Sequence, residues 1–239
     1  MATRKREPRI LLWDIESTGL NATFGTILCI GWKFYGEKTV YVPSIIDGSN
    51  GDMLDDKALV KQFIEAYESC DYHVTWYGDR FDFPMVCSKA FKHDLPPIRP
   101  KHSLDLWKAV RYRFKAHSNR LAVWQQICKA KDSKTAIDFD AWLRAAHGDK
   151  NALAEVRHHC KKDVLVLEQV FRKLRPWLDN EPSRGLFTGD HDSCPSCGSK
   201  HVTRQGFKVA RTRKYQQLKC QSCGHWFREA RSAEASPLR

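Results

Sequence analysis

A chain of 239 residues, 42% hydrophobic and 28% charged, has the makeup of an ordinary globular protein with room for one sizeable core and a small appendage. Its apolar runs fall short of the ~20 residues that span a bilayer, and its basic start, MATRKREPR, leads into a strand-like segment rather than a signal-peptide core, so a soluble, cytoplasmic protein is expected. The net charge of +12 is uneven: residues 194–228 hold eight Lys and Arg and neither Asp nor Glu, which predicts a polyanionic partner for a basic C-terminal module.

Residues 9–16 read as a buried strand, yet Asp14 and Glu16 stand at its end. Side chains alternate along a strand with period two, so the two carboxylates point the same way and repel. A cation between them would remove the repulsion. Strands are expected next at 27–35 and 38–42, joined as a hairpin through Gly36 and Glu37. In DDKALVKQFIEAYES, Leu59, Val60, Phe63, Ile64 and Tyr67 recur at helical spacing, with Asp55 or Asp56 as the cap. YHVTWY (72–77) reads as a strand, and FPMVCSKAFKH as a short helix just after Asp82. HSLDLWKAVRYRF, NRLAVWQQICKA and FDAWLRAAHG are strand or helical pieces without firm boundaries. The last long helix starts near 149–151 and runs to about Leu174, on a stripe of Val156, Cys160, Val164, Leu167, Phe171 and Leu174. Asp163 lies beside that stripe, and Pro176 ends the helix. Pro182, Gly185 and Gly189 mark 177–193 as a linker, and the tail 229–239 lacks a core-forming pattern and is expected to be disordered.

Strands before and between helices argue for an α/β sandwich. If the first strand is central, Asp82 and Asp163 converge on Asp14 and Glu16. Four carboxylates in one cleft require compensation, which two divalent cations supply. Oxygen ligands suit Mg²⁺ or Mn²⁺, and such an ion pair stabilises the attacking and leaving oxygens of a displacement at phosphorus. Taken singly, Asp82 reads as a helix cap and Asp163 as solvated surface, but that reading leaves Asp14 beside Glu16 without a cause.

DIESTG with Asp14 and Glu16, FD with Asp82, and a late Asp163 preceded by histidines resemble the DEDD superfamily of 3′–5′ exonucleases over about residues 8–176. The likeness is greatest to the branch related to family-B polymerase proofreading domains. It implies a ribonuclease H-like fold, a mixed sheet flanked by helices. It further implies that Asp14, Glu16 and Asp163 hold the ion that activates water, that Asp14 bridges to a second ion held with help from Asp82, and that 5′-mononucleotides are released. Family members use as general base either Tyr four residues before the last Asp or His five before it. This chain has His159 at four and His158 at five. Literal spacing favours His158, and the shared face of i and i+4 favours His159. Tyr77 stands where related sequences commonly carry Asn, a residue that helps position substrate. Asp79 reads as a turn residue and Asp105 as structural.

Cys29, Cys70, Cys87, Cys128 and Cys160 read as ordinary buried thiols. Cys194, Cys197, Cys220 and Cys223 form two C-x-x-C pairs separated by 22 residues, a pattern for one structural Zn²⁺ that leaves His201 and His225 superfluous. The segment between them alternates as a β-hairpin would, and 194–228 looks like a zinc ribbon, similar to those of some transposases and transcription factors. Arg204, Lys208, Arg211, Arg213, Lys214, Tyr215 and Lys219 are expected to contact nucleic acid beside Phe207 and Trp226, with protein docking as the rival use. The whole reads as a metal-dependent 3′–5′ exonuclease domain (8–176), a linker and a basic ribbon, acting on DNA in preference to RNA. A structure-selective endonuclease and a nucleic-acid-binding adaptor with a vestigial nuclease domain are the alternatives.

Overall fold

Strand β1 (Ile10–Ser17) lies inside a four-stranded sheet. It pairs antiparallel with β2 (Ile27–Phe34) and, on its other edge, parallel with β3 (Tyr72–Thr75), which pairs parallel with β4 (His102–Asp105). The resulting order, β2-β1-β3-β4, makes β1 central, as the convergence of the acids requires. The computed structural model describes residues 5–49, 51–132 and 137–237; residues 1–4 of the basic start and 238–239 of the tail lie outside them. The chain divides into two units, Arg9–Arg172 and Met1–Pro8 with Lys173–Arg239.

Alternation along β1 sends Leu11, Trp13 and Ile15 to one side, where they meet Leu59, Val60 and Phe63 of α1 (Lys57–Glu68) and Met85 and Val86 of α2 (Asp82–Lys92). Each such aliphatic side chain contributes about 1.5–3 kcal/mol by leaving water. Trp13 is fully buried, and its indole N–H donates to His73 Nδ1 at 3.1 Å, so no donor is stranded. The expected third strand at 38–42 is reduced to bridges. Tyr41 exchanges both backbone hydrogen bonds with Trp32, and Ser44 bridges to Cys29, but Pro43 between them has no N–H to continue the ladder. Asp56 also departs from expectation. It occupies the N-cap position of α1, yet its carboxylate turns inward to the Ile27 N–H (2.9 Å), Lys89 (3.1 Å) and His93 (2.5 Å).

The opposite side of the sheet receives α6 (Lys150–Leu174), which follows α3 (Leu106–Arg113), α4 (Leu121–Cys128) and α5 (Phe139–Ala146). Every residue of β2 is buried, so the run carries little visible alternation, but Gly31 and Lys33 meet α6. A Cβ at Gly31 would stand 2.7 Å from Cys160 Sγ and 3.1 Å from Val164, so glycine is what lets the helix approach beside Asp14, its cross-strand partner. Buried Lys33 is answered by Glu168 at 2.6 Å, and the Gly36 N–H reaches the same carboxylate at 3.1 Å. Removing one member of that pair would strand a buried charge at a cost of about 3–5 kcal/mol. These contacts fix the register of α6, and with it the face that looks at Asp14 and Glu16.

In the smaller unit, β5 (Val202–Val209), β6 (Arg213–Cys220) and β7 (Trp226–Arg228) form an antiparallel sheet. The stretch 177–193, expected as a plain linker, carries a helical turn, α7 (Gly185–Thr188), preceded by Arg184, which bonds Glu7 (2.6 Å) and the Cys197 carbonyl. The tail is also more ordered than expected. Strand β8 (Glu234–Ala235) pairs with Arg213 and Lys214, an edge of β6 that β7 leaves open, and Lys214 meets Glu234 at 3.6 Å. Among the described residues, no helix is long and apolar enough to cross a membrane.

Candidate active site and cysteine cluster

The ladder between β1 and β3 ends at Leu12 and Val74, and beyond it the Ile15 N–H is taken by Asp82 Oδ1 at 3.2 Å. Asp82, on the first turn of α2, thus touches β1 between Asp14 and Glu16. Burial pushes its carboxyl up to about 7, against the pull of the Ile15 N–H and its own N–H. From the other side, α6 brings His159 Nε2 to 3.8 Å from Glu16 Oε1 and 3.9 Å from Asp163 Oδ2. His158 does not join them. At roughly 100° per residue it stands about 140° round the helix from Asp163, whereas His159 is about 40° away. His158 is exposed and His159 buried.

Ligand atoms of Glu16, His159 and Asp163 lie within 4.8 Å of one another, and so do those of Asp14, Glu16 and Cys160. These acidic residues could hold metal ions. Sequence reasoning took Cys160 for an ordinary core thiol; its place one turn before Asp163 on the same helix was the available signal. Its S–H lies 3.6 Å from the Asp14 carbonyl. A hydrogen bond with Cys29, then burial, push the Cys160 thiol well above its ordinary value. It stays neutral, so the donors offered to an ion are the hard oxygens that suit Mg²⁺ or Mn²⁺.

Asp14 and Asp163 open onto a groove of about 680 Å³ walled by Trp76, Tyr77 and Trp107. Trp107 and the Asn119–Arg120 stretch of that wall were not singled out from sequence, although loops following strand ends are where binding residues gather. Asp79 and Asp105 serve the wall rather than the acidic cluster. Asp79 meets Ser103 (2.5 Å) and Lys108 (2.6 Å), and Asp105 accepts from the Tyr77 and Trp107 N–H groups.

In the smaller unit the four thiols of Cys194, Cys197, Cys220 and Cys223 gather within 4.8 Å and could hold a metal ion. The Cys194–Cys223 and Cys197–Cys220 sulfurs are 3.7 and 3.6 Å apart, far beyond a disulfide of about 2 Å. A tetrahedron with metal–sulfur bonds of ~2.3 Å has edges of roughly 3.8 Å, so the spacing fits Zn²⁺. Each pair is closed by a glycine at positive φ, Gly198 (+76°) and Gly224 (+79°), whose N–H groups bond back to the Cys194 and Cys220 carbonyls. Burial raises the Cys220 thiol, but the backbone N–H groups of Cys223 and Ser222 outweigh it and bring the thiol down to about 7. Among the described residues His201 and His225 join no such group; His225 bonds the Pro176 carbonyl at 2.9 Å.

The basic residues do not share one face. Cross-strand pairing puts Lys208 beside Tyr215 and Lys219 beside Trp226, while Arg204 and Lys214 stand on the opposite side, Lys214 over the Phe207 ring. Arg213 shares the Tyr215 side by alternation, and Arg211 lies in the connecting turn.

A search of curated proteins finds no match. Among solved structures, the chain is similar to the family B DNA polymerase from the hyperthermophilic archaeon Pyrobaculum calidifontis, with a TM-score of 0.60 at 14% identity. The similarity covers 87% of this chain and 32% of the polymerase, so the chain spans about a third of that protein and the likeness is one of fold. A sequence model of the RNase H superfamily matches residues 11–175, the span that carries the sheet, the acids and α6. The chain belongs to the RNase H superfamily.

Proposed function

We propose that this protein is a metal-dependent nuclease that removes nucleotides from the 3′ end of DNA, in the manner of DEDD exonucleases. The observation that carries the reading is the meeting of Glu16, His159 and Asp163 within ligand distance, with Asp14 on the same groove and Asp82 bonded to β1 between the first two acids. Two Mg²⁺ or Mn²⁺ ions held by Asp14, Glu16, Asp82 and Asp163 would neutralise the phosphate and polarise the attacking water. His159, beside Glu16 and Asp163, would take that water's proton, a task suited to an imidazole at neutral pH. Residues 8–176 form the nuclease domain in this reading, and 194–228 a zinc ribbon that holds the strand through Lys208, Arg213, Tyr215 and Lys219, with Arg204, Arg211 and Lys214 adding phosphate contacts.

Labelled single- and double-stranded DNA and RNA, incubated with Mg²⁺, Mn²⁺ or chelator, test the reading. Metal-dependent, stepwise shortening from the 3′ end with 5′-mononucleotide products supports it. Internal cuts would make the protein an endonuclease instead, and binding without cleavage on every substrate an adaptor.

A further inference from the structure

The small sheet carries a cavity that the proposed nuclease reaction does not use. Antiparallel pairing sets Lys208 beside Tyr215, Gln217 beside Arg228 and Lys219 beside Trp226, all on one side of the sheet. Lys208, Gln217, Trp226 and Arg228 line a cavity of about 310 Å³, and Asp179, Glu181 and Glu229 line it too. That volume lies at the small end of the usual range for ligand sites, ~300–1,000 Å³.

Much of the lining is fixed by contacts of its own. The Arg228 guanidinium rests 3.7 Å over the Tyr215 ring, and Lys219 Nζ stands 5.5 Å from the Trp226 ring. Beside Trp226 in the chain, the His225 and Phe227 rings stack at 9°, and His225 bonds the Pro176 carbonyl at 2.9 Å. Buried Ser196 lines the cavity from the turn between Cys194 and Cys197, so the site is built against the cysteine cluster. Glu181 is held by Arg175 at 2.7 Å. Asp179 and Glu229 are exposed, and the Glu229 contact with Arg204, 3.4 Å at the surface, yields at little cost.

Two cations stand here against three carboxylates, so the cavity is no trap for a phosphate. Donors and acceptors around an aromatic ring that is 45% exposed suit a flat, uncharged group with both kinds of partner on its edge. Among the bases of DNA, guanine alone has two adjacent acceptors, O6 and N7, and two adjacent donors, N1–H and the 2-amino group. Lys and Arg are the usual partners of the first pair. A carboxylate matches the second. We propose that this cavity captures one guanine base of the strand held by the ribbon. Trp226 supplies the stacking face, Lys208 and Arg228 bond O6 and N7, and Asp179 or Glu229 accepts from N1 and the 2-amino group. The inference rests on the reading that the ribbon binds nucleic acid and is independent of cleavage. It gives the ribbon a sequence preference, so it settles where on a strand the protein sits as well as how tightly.

The test measures binding of the zinc-loaded full chain to an oligothymidylate strand and to the same strand with one central guanine, without added Mg²⁺ or Mn²⁺ so that neither is cut. The guanine should strengthen binding about ten- to a hundredfold, the effect of one well-matched base. Hypoxanthine, which lacks only the 2-amino group, should give back several-fold of that gain, and adenine or cytosine should give little. Asp179→Ala with Glu229→Ala should bring the ratio of the two affinities to within about twofold. The ratio is the readout, since removing two negative charges strengthens binding of every strand. Both positions are exposed, and amide protection in β5 and β6 should match wild type. An equal gain from adenine or hypoxanthine, or a ratio that survives in the double variant, overturns the guanine site and leaves the ribbon a sequence-blind binder. Failure to bind any strand overturns the site together with the reading of the ribbon, whatever the larger unit cleaves.

Discussion

In the larger unit the gathered side chains of Asp14, Glu16, His159 and Asp163 come from β1 and α6, with Asp82 of α2 bonded to β1 beside them, elements held by a core that includes Trp13, Phe63, Val86 and Phe171. In the smaller unit four thiols come from two tight turns beside a sheet whose strand β5 is exposed at seven of its eight positions. The first scaffold is held by buried apolar area that does not include its carboxylates, so an ion there would relieve repulsion without being needed for the fold. The second has little apolar area to bury, and a metal bound to four thiolates would supply the folding energy itself. The same kind of substitution, removal of one ligand, should therefore damage chemistry in one region and structure in the other.

Asp14→Ala should make the largest difference. Loss of several kcal/mol of transition-state charge stabilisation corresponds to about a thousandfold or more in cleavage rate, measured on end-labelled DNA. The thermal midpoint of the larger unit should hold or rise, because one of two repelling carboxylates is gone. A midpoint that drops sharply would break the contrast by making the acid structural. Next comes His159→Ala, with a loss of about 10²–10⁴-fold in rate for a missing general base, whereas His158→Ala should stay within about twofold of wild type. Equal losses at both positions would contradict the helical phasing that buries one and exposes the other.

On the other side of the comparison, Cys220→Ser should leave the melting of the larger unit unchanged and unfold the ribbon. Amide exchange in β5 and β6 should become fast, and affinity for DNA should fall about tenfold or more as the basic side chains lose their fixed spacing. The variant should also flatten the dependence of affinity on salt, since fewer phosphates are neutralised. Retained zinc and protected amides in this variant would show that the small sheet needs no thiolate closure.

The elements that could be read from sequence are those that carry one strong local signal. Strand β1 came out with nearly its observed limits as an unbroken run of large apolar residues, and helix α6 through apolar residues that recur at 3.6 positions; the shared face of i and i+4 favoured His159, while literal spacing left His158 open. What stayed hidden depends on partners far away in the chain. Lys33 sits in an apolar strand only because Glu168, 135 residues later, neutralises it. Asp56 stands where a cap belongs, but Lys89 and His93 draw it inward. The aromatic wall is the same case: Asp105 reaches back to residue 77, and no spacing rule joins the two. The tail found its place by filling an open strand edge, a geometric vacancy that exists only once β6 and β7 are paired.

The smallest expected effect is also the one that ties the acidic cluster to pH. Burial holds the Asp82 carboxyl at about 7, so at pH 6 most copies keep the proton, and at pH 8 few do. An ion that uses the carboxylate must displace that proton, so apparent affinity for Ca²⁺ or Mg²⁺ should strengthen toward a limit of about tenfold per pH unit below 7 and level off above it. The folded protein without metal has the opposite slope. Because the carboxyl is raised above its ordinary 3.8, the unfolded chain releases this proton first as pH rises, and the group's contribution to stability falls between about 4 and 7. Thermal midpoints of the larger unit at pH 6, 7 and 8, with and without Ca²⁺, report both slopes. Asp82→Asn isolates the group from every other titration: its amide oxygen can still accept from the Ile15 N–H, but it carries no proton to lose. Subtracting the variant from wild type should leave a metal-induced shift that grows with pH and a metal-free midpoint that declines. A difference flat across the three pH values would mean that Asp82 is already ionised when the ion arrives, and that the larger unit tolerates its acidic cluster without holding a proton there.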